Sequence, residues 1–329
     1  MRRYLLLTLV AACGHSAKPT TAPIVDPAPV ADSKPEASSD KSPDSKPAVA
    51  DPIDVPIGAG KTSYKLISGG KGPKAQHKID AKTGAKQALD LAIDFAGKQV
   101  APKELGGTQE EVAPTLVLAS ELEVGESDGD GRKFTLTVTG VDANDRPGAK
   151  TTKDKFKTEL GILIGTVLGG SVSSSGQLAN MTLHVEKPTD KTMAALELVR
   201  ISLMPMWPVL PTEAIGVGAK WRTTSTYTIA DRLQATRTTD YQVVSRKGSA
   251  WELKASTKIS GEPQTIQDTK FEKIGGSGSF QGTLSEGVFT PTSSTKMTTD
   301  FTAHVNGPDS KVATIEFHLD QSLAVTAKP

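Results

Sequence analysis

Leu116-Val117-Leu118-Ala119-Ser120-Glu121-Leu122-Glu123-Val124-Gly125-Glu126-Ser127-Asp128-Gly129-Asp130-Gly131-Arg132-Lys133-Phe134-Thr135-Leu136-Thr137-Val138 decides the fold class of this 329-residue chain. Alternate residues from Leu116 to Val124, and again from Phe134 to Val138, are apolar except at Ser120. A period of two puts successive side chains on opposite faces of an extended backbone, so both runs read as strands with one buried face. Between them, Asp128-Gly129-Asp130-Gly131 supplies residues that tolerate a tight reversal, making the whole an antiparallel hairpin.

The same alternation recurs in both directions from this hairpin. Leu89, Leu91, Ile93 and Phe95 interleave with Asp90, Ala92 and Asp94. Further strands are predicted over 221–229, 236–244, 251–259, 280–284, 296–305 and 312–325, which are rich in Thr and Val. Two segments depart from the pattern. Phe156, Leu160 and Ile164 fall four apart within 153–164, as on a helix, although Gly161 weakens it. The second helix is expected over 190–204, bounded by Pro188 and Pro205, with a narrow polar strip at Glu197 and Arg200 that predicts burial on most sides. The expected fold is therefore mainly β (α+β), a large curved antiparallel sheet or open barrel with one or two helices packed against it.

A weak internal repeat suggests two halves. Ile57-Gly58-Ala59-Gly60-Lys61 parallels Ile215-Gly216-Val217-Gly218-Ala219-Lys220, the hairpin at Gly129 parallels Lys247-Gly248-Ser249, and Gly169-Gly170-Ser171-Val172 parallels Gly275-Gly276-Ser277-Gly278-Ser279-Phe280. The order is kept while the spacing shrinks, and chance similarity among Gly, Ser and Thr explains the matches equally well. On this reading the chain divides into a leader at 1–12, a tether at 13–55, a β-rich half at 56–188, a helix and corner at 189–210, and a second β-rich half at 211–329.

Arg2 and Arg3 followed by the apolar run Leu5 to Ala12 have the layout of an export signal, and that run is far shorter than the roughly 20 residues a membrane span needs. Val10-Ala11-Ala12-Cys13-Gly14 resembles the lipobox of bacterial lipoproteins, with valine where leucine is commoner. The resemblance implies cleavage before Cys13, acylation of its thiol and anchoring to a membrane; Gly14, not being the aspartate associated with inner-membrane retention, favours the outer membrane. Two or three acyl chains hold a protein stably where one does so only marginally. Cys13 is the sole cysteine, so it has no intrachain disulfide partner. From Gly14 to Pro52 the chain is mostly Pro, Ala, Ser, Asp and Lys, too poor in large apolar groups to fold. Such a tether reaches about 35 Å as a coil and about 120 Å as extended polyproline.

The stretch Leu203-Met204-Pro205-Met206-Trp207-Pro208-Val209-Leu210-Pro211, then Gly216, Gly218 and Trp221, resembles a domain family of unknown function found in bacterial lipoproteins. The resemblance covers roughly the second half and implies a proline-marked turn after a helix leading into the first strand of a β-rich region. It supplies no catalytic residues.

Motif chemistry is sparse. Gly58-Ala59-Gly60-Lys61-Thr62 ends like a phosphate loop, but Val55 stands where the motif requires glycine and no helical pattern follows. Glu126, Asp128, Asp130 and Gly131 imitate a calcium loop whose twelfth position is Thr137 instead of glutamate. His15, His77, His184, His304 and His318 are scattered, without the spacing of zinc ligands, and no Gly-x-Ser-x-Gly elbow occurs. Removing Arg2 and Arg3 leaves 36 basic against 37 acidic residues, with no basic run of the kind nucleic acid requires.

Two functional expectations follow, neither enzymatic and neither using a cofactor or metal. The first is an envelope lipoprotein, held by its N-terminal acyl chains, whose β-rich domain docks a protein or wall polymer. The alternative is a carrier for a lipid or other apolar ligand in an open barrel, with Met204, Met206, Trp207 and Trp221 at the mouth of an apolar cavity.

Overall fold

The computed structural model describes residues 51–57, 62–186, 188–229, 233–306 and 312–328. The strands are β1 Ile53–Ile57, β2 Thr62–Ser68, β3 Lys71–Ala75, β4 Lys86–Val100, β5 Gln109–Val112, β6 Thr115–Asp128, β7 Gly131–Asn144, β8 Val167–Ser173 and β9 Leu178–Val185. They continue as β10 Ile215–Val217, β11 Lys220–Ile229, β12 Leu233–Lys247, β13 Ala250–Ser260, β14 Gln264–Ile266, β15 Thr269–Leu284, β16 Thr292–Asn306 and β17 Val312–Ala327. The α-helices are α1 Lys153–Leu160 and α2 Asp190–Leu203.

One antiparallel sheet holds nearly everything, in the order β1-β9-β8-β7-β6-β4-β17-β16-β15-β13-β12-β11-β2, with β5 beside β4 and β14 beside β15. It consists of two up-and-down meanders, β4-β6-β7-β8-β9 and β11-β12-β13-β15-β16-β17, joined where β17 pairs with β4 from Glu316↔Val100 to Ala327↔Leu89. The hairpins at Gly129 and Gly248 both join the second and third strands of their meander, and both glycine runs lie on the fourth.

The two edges of this sheet are neighbours in sequence. β1 pairs with β9 at one end of the ladder and β2 with β11 at the other. Five peptide links separate Ile57 from Thr62 and cannot span more than about 18 Å. Because every strand pair in the ladder is antiparallel, β1 and β2 run in the same direction, like two halves of one strand that leaves one neighbour and joins the other. The hydrogen-bonded ladder stays open, while the sheet curls far enough to bring its edges within that reach.

The curl has a packing reason. One apolar face, carried on Leu89, Leu91 and Ile93 of β4, Leu116, Leu118 and Leu122 of β6, and Leu323 and Val325 of β17, is buried against α2 and the corner behind it. Ile57 of the edge strand β1 and Trp221 of β11, the neighbour of edge strand β2, belong to this same core. Farther along the inner face of the second meander, Ile259, Ile274, Phe301, Ile315 and Phe317 form a second apolar cluster, with Phe301 stacked on Phe317 at 4.8 Å.

Four sequence boundaries move. Ile53 and Val55, placed in the tether by composition, belong to β1, because Ile53, Val55 and Ile57 alternate and pair with β9, and edge strands accept Pro56. The first helix stops at Leu160 and tightens into a 3₁₀ turn over Gly161–Leu163, since glycine is a weak helix former and Gly165 turns the chain at φ 88°. The strand expected over 280–284 begins at Thr269 and passes straight through the glycine run, which forms part of the sheet. The second helix ends at Leu203, one residue early, in a Met204–Met206 3₁₀ turn holding Pro205.

Candidate functional site

The corner after α2 is a plug. Met206 and Trp221 have no accessible surface and Trp207 retains 4 %. The Trp207 indole donates from Nε1 to the Phe289 carbonyl at 3.1 Å and packs between Phe134 at 4.9 Å and Phe289 at 6.1 Å, tying β7 to the β15–β16 turn. Trp221 donates to the Val209 carbonyl at 2.8 Å and stacks on Tyr241, which meets Phe280 edge-on at 6.0 Å. The space between α2 and the first meander, enclosed by Leu91, Leu118, Leu168, Leu196, Val199 and Leu203, is about 10 Å³, at the lower limit for one water. The structure thus buries Met206, Trp207 and Trp221 among packed side chains instead of at a cavity mouth. The Met204 side chain and Cys13 lie outside the described residues.

On the opposite, solvent-facing side of the sheet an open groove of about 540 Å³ crosses β4, β17, β16 and β15. Its floor is low because β15 presents only Ser277 and Ser279 there, with Gly278 between them. The glycines also let β15 and β16 approach closely: a Cβ on Gly276 would lie 2.1 Å from the Thr298 carbonyl oxygen, and one on Gly278 2.7 Å from that of Lys296.

The groove's carboxylates are already engaged. Asp94 accepts from Thr115 Oγ1 at 2.6 Å and Ser322 Oγ at 2.9 Å, with Arg146 Nε 4.0 Å away. Asp320 accepts from Thr298 Oγ1 at 2.9 Å and sits 3.2 Å from His318 Nε2. His318 also meets Asp300 through Nδ1 at 2.6 Å, and this pairing, followed by Asp320, raises its pKa. Arg146 donates to the Phe95 carbonyl at 2.7 Å. By contrast, Lys296 and the hydroxyls of Ser277 and Ser279 make no side-chain hydrogen bond or ion pair among the described residues.

The other histidines serve the fold. His184 lies on β9 opposite Asp54 of β1, bonded to it at 2.8 Å and to Glu186 at 3.3 Å. His304 contacts Glu272 at 3.1 Å, while His77 packs 5.7 Å from the Trp251 ring and burial lowers its pKa. Asp128 and Asp130 flank the hairpin turn, where the Asp130 carbonyl accepts from Ser174 N at 3.2 Å. Among the described residues no group of three or more His, Cys, Asp or Glu is arranged to hold a metal ion. His15 and the phosphate-loop-like residues 58–61 lie outside the described residues, and Thr62 opens a strand. No helix among the described residues is long and apolar enough to cross a membrane.

The sequence did not disclose the groove, since its lining comes from positions 94, 146, 277–279, 296–298 and 320–322. The available signal was the Gly-Ser run inside a strand, where side-chain bulk is missing.

Compared with known proteins, the sequence matches no family model and no characterised protein. Among solved structures, the chain aligns with a loop L8 deletion mutant of OmpT, an outer membrane protein of Vibrio cholerae, at 8% identity over 74% of this chain and 100% of that one, with a TM-score of 0.16. A likeness that low carries no argument about fold, location or activity.

Proposed function

We propose that this chain is a non-enzymatic lipoprotein of the bacterial envelope, anchored through acylated Cys13 to the outer membrane and presenting its β-rich domain for docking on a tether. The observation that carries the docking part is the contrast between the two faces of the sheet. The inner face is closely packed around α2, leaving about 10 Å³, whereas the outer face holds an open polar groove of about 540 Å³. Such a molecule engages a partner on its surface. Internal carriage of an apolar ligand would need a cavity of about 300 Å³ or more, and the packing of Met206, Trp207 and Trp221 weighs against that alternative.

The anchor is tested by fractionating cells that express the full chain or its Cys13→Ala variant. The parent should sediment with membranes and label with palmitate, and the variant should become soluble and unlabelled. Equal membrane retention of the variant would overturn the lipoprotein reading.

A further inference from the structure

The outer groove has an imbalance between donors and acceptors. The four oxygens of Asp94 and Asp320 are taken up by Thr115, Ser322, Thr298 and His318. The Lys296 ammonium and the Ser277 and Ser279 hydroxyls are left without side-chain partners among the described residues. One strand beyond, Lys258 stands opposite Ser277 in the β13–β15 register, exposed and likewise without an ion pair among the described residues. Beyond those pairings the surface offers two ammonium groups and two hydroxyl donors, beside carboxylates that are hydrogen-bonded and keep their charge.

The geometry restricts the ligand further. Strands stand about 4.8 Å apart, so the band from Asp94 on β4 to Lys258 on β13 crosses four intervals, about 19 Å. It runs perpendicular to the strands over Ser322, Lys296 and Ser279 on one rung and Asp320, Thr298 and Ser277 on the next. This suits an extended polymer better than a compact molecule. A protein partner would call for aliphatic or aromatic anchors at the centre of the contact, yet the lining is polar apart from the half-buried Met297 and the backbone of Gly278. A nucleic-acid strand would call for aromatic side chains on which its bases stack, and none lines the groove.

We infer that the groove over β4, β17, β16 and β15 binds an acidic polysaccharide, whose carboxylates pair with Lys296 and Lys258 and whose hydroxyls and ring oxygens accept from Ser277 and Ser279. This rests on the envelope reading only for where the polymer is met; the chemistry of the groove stands apart from the anchor.

The test uses the full chain in detergent, with polygalacturonate as probe and neutral dextran of matched length as comparator. Polygalacturonate should bind, dextran at least tenfold more weakly, and added salt should weaken the acidic probe selectively. Lys258→Glu combined with Lys296→Glu should lower polygalacturonate affinity at least tenfold, and Lys296→Arg should retain it. Ser277→Glu, which puts a carboxylate on the floor of the groove, gives a second variant on another strand should the lysine pair fail to fold. Absence of polygalacturonate binding, equal binding of dextran, or unchanged affinity in the folded variants would overturn the inference. Membrane release of Cys13→Ala reads the anchor separately, so failure of either leaves the other standing.

Discussion

Trp221 and Tyr241 face each other directly across the β11–β12 ladder, their rings 5.2 Å apart and within 7° of parallel. The pair locks β11 to its neighbour β12. Burial raises the pKa of the Tyr241 hydroxyl, and the Trp221 indole closes back onto the Val209 carbonyl.

Truncating this contact should be costly. Trp221→Ala removes a fully buried side chain and leaves the Val209 carbonyl without its donor, so a loss of about 3–5 kcal/mol is expected. Trp221→Phe should lose less. Urea denaturation of both, and of a double variant with Tyr241→Ala, would show about 0.5–1.5 kcal/mol of coupling from the ring pair; a Trp221→Ala protein as stable as the parent would contradict the plug.

The glycines of the two runs are not equivalent. Gly276→Ala would put its Cβ 2.1 Å from the Thr298 carbonyl oxygen, whereas at Gly169 no other atom lies within 4 Å of the added group. Gly276→Ala should therefore destabilise by about 1–3 kcal/mol or more through forced separation of β15 and β16, and Gly169→Ala should be close to neutral. Thermal unfolding of the two variants side by side makes the comparison, and equal effects would contradict the register.

Gln99 is fully buried on the inner face of β4, opposite Phe317, and neither its amide oxygen nor its nitrogen has a partner among the described residues. A buried, unpaired amide costs on the order of 1–3 kcal/mol, so an apolar residue of similar size should relieve it. Gln99→Met is expected to raise the melting temperature. A lower melting temperature with unchanged folded spectra would mean that the amide is satisfied in solution.

His184 fastens the edge strand β1 to β9. Its hydrogen bonds to Asp54, and then to Glu186, raise its pKa. The protonated ring is favoured in the folded state, so this contribution is fully present below the unfolded value near 6.5 and is lost as pH rises through the higher folded value. Amide exchange in β1, corrected for intrinsic rates, should accelerate over that interval. His184→Gln should remove the pH dependence, and a β1 equally protected on both sides of the interval would contradict the clasp.

Much of the architecture is legible in the sequence. The rows Leu89–Leu91–Ile93 and Leu116–Leu118–Leu122 bury as alternation requires, the turn at Gly129 joins β6 to β7, and helix α2 lies where the prolines bound it. These are local properties: side-chain period, turn chemistry and missing amide hydrogens act within a few residues. Trp207 and Trp221 were legible as important and illegible in role, because packed against a cavity or packed against Phe134 and Tyr241 they leave the same mark in a sequence.

By itself, the sequence determined a mainly β chain, a composition at 14–52 dominated by Pro, Ala, Ser, Asp and Lys, and the resemblance at Cys13 from which the anchor is proposed. Tertiary structure alone decided that β17 closes against β4, that β1 and β2 stand at opposite edges of a ladder curled to within the reach of five peptide links, and that Asp94, Lys296, Ser277 and Asp320 share one groove. The reason is range. Strand pairing between segments more than 200 residues apart is selected by the total apolar surface that the curled sheet buries around α2, and no local pattern encodes that sum.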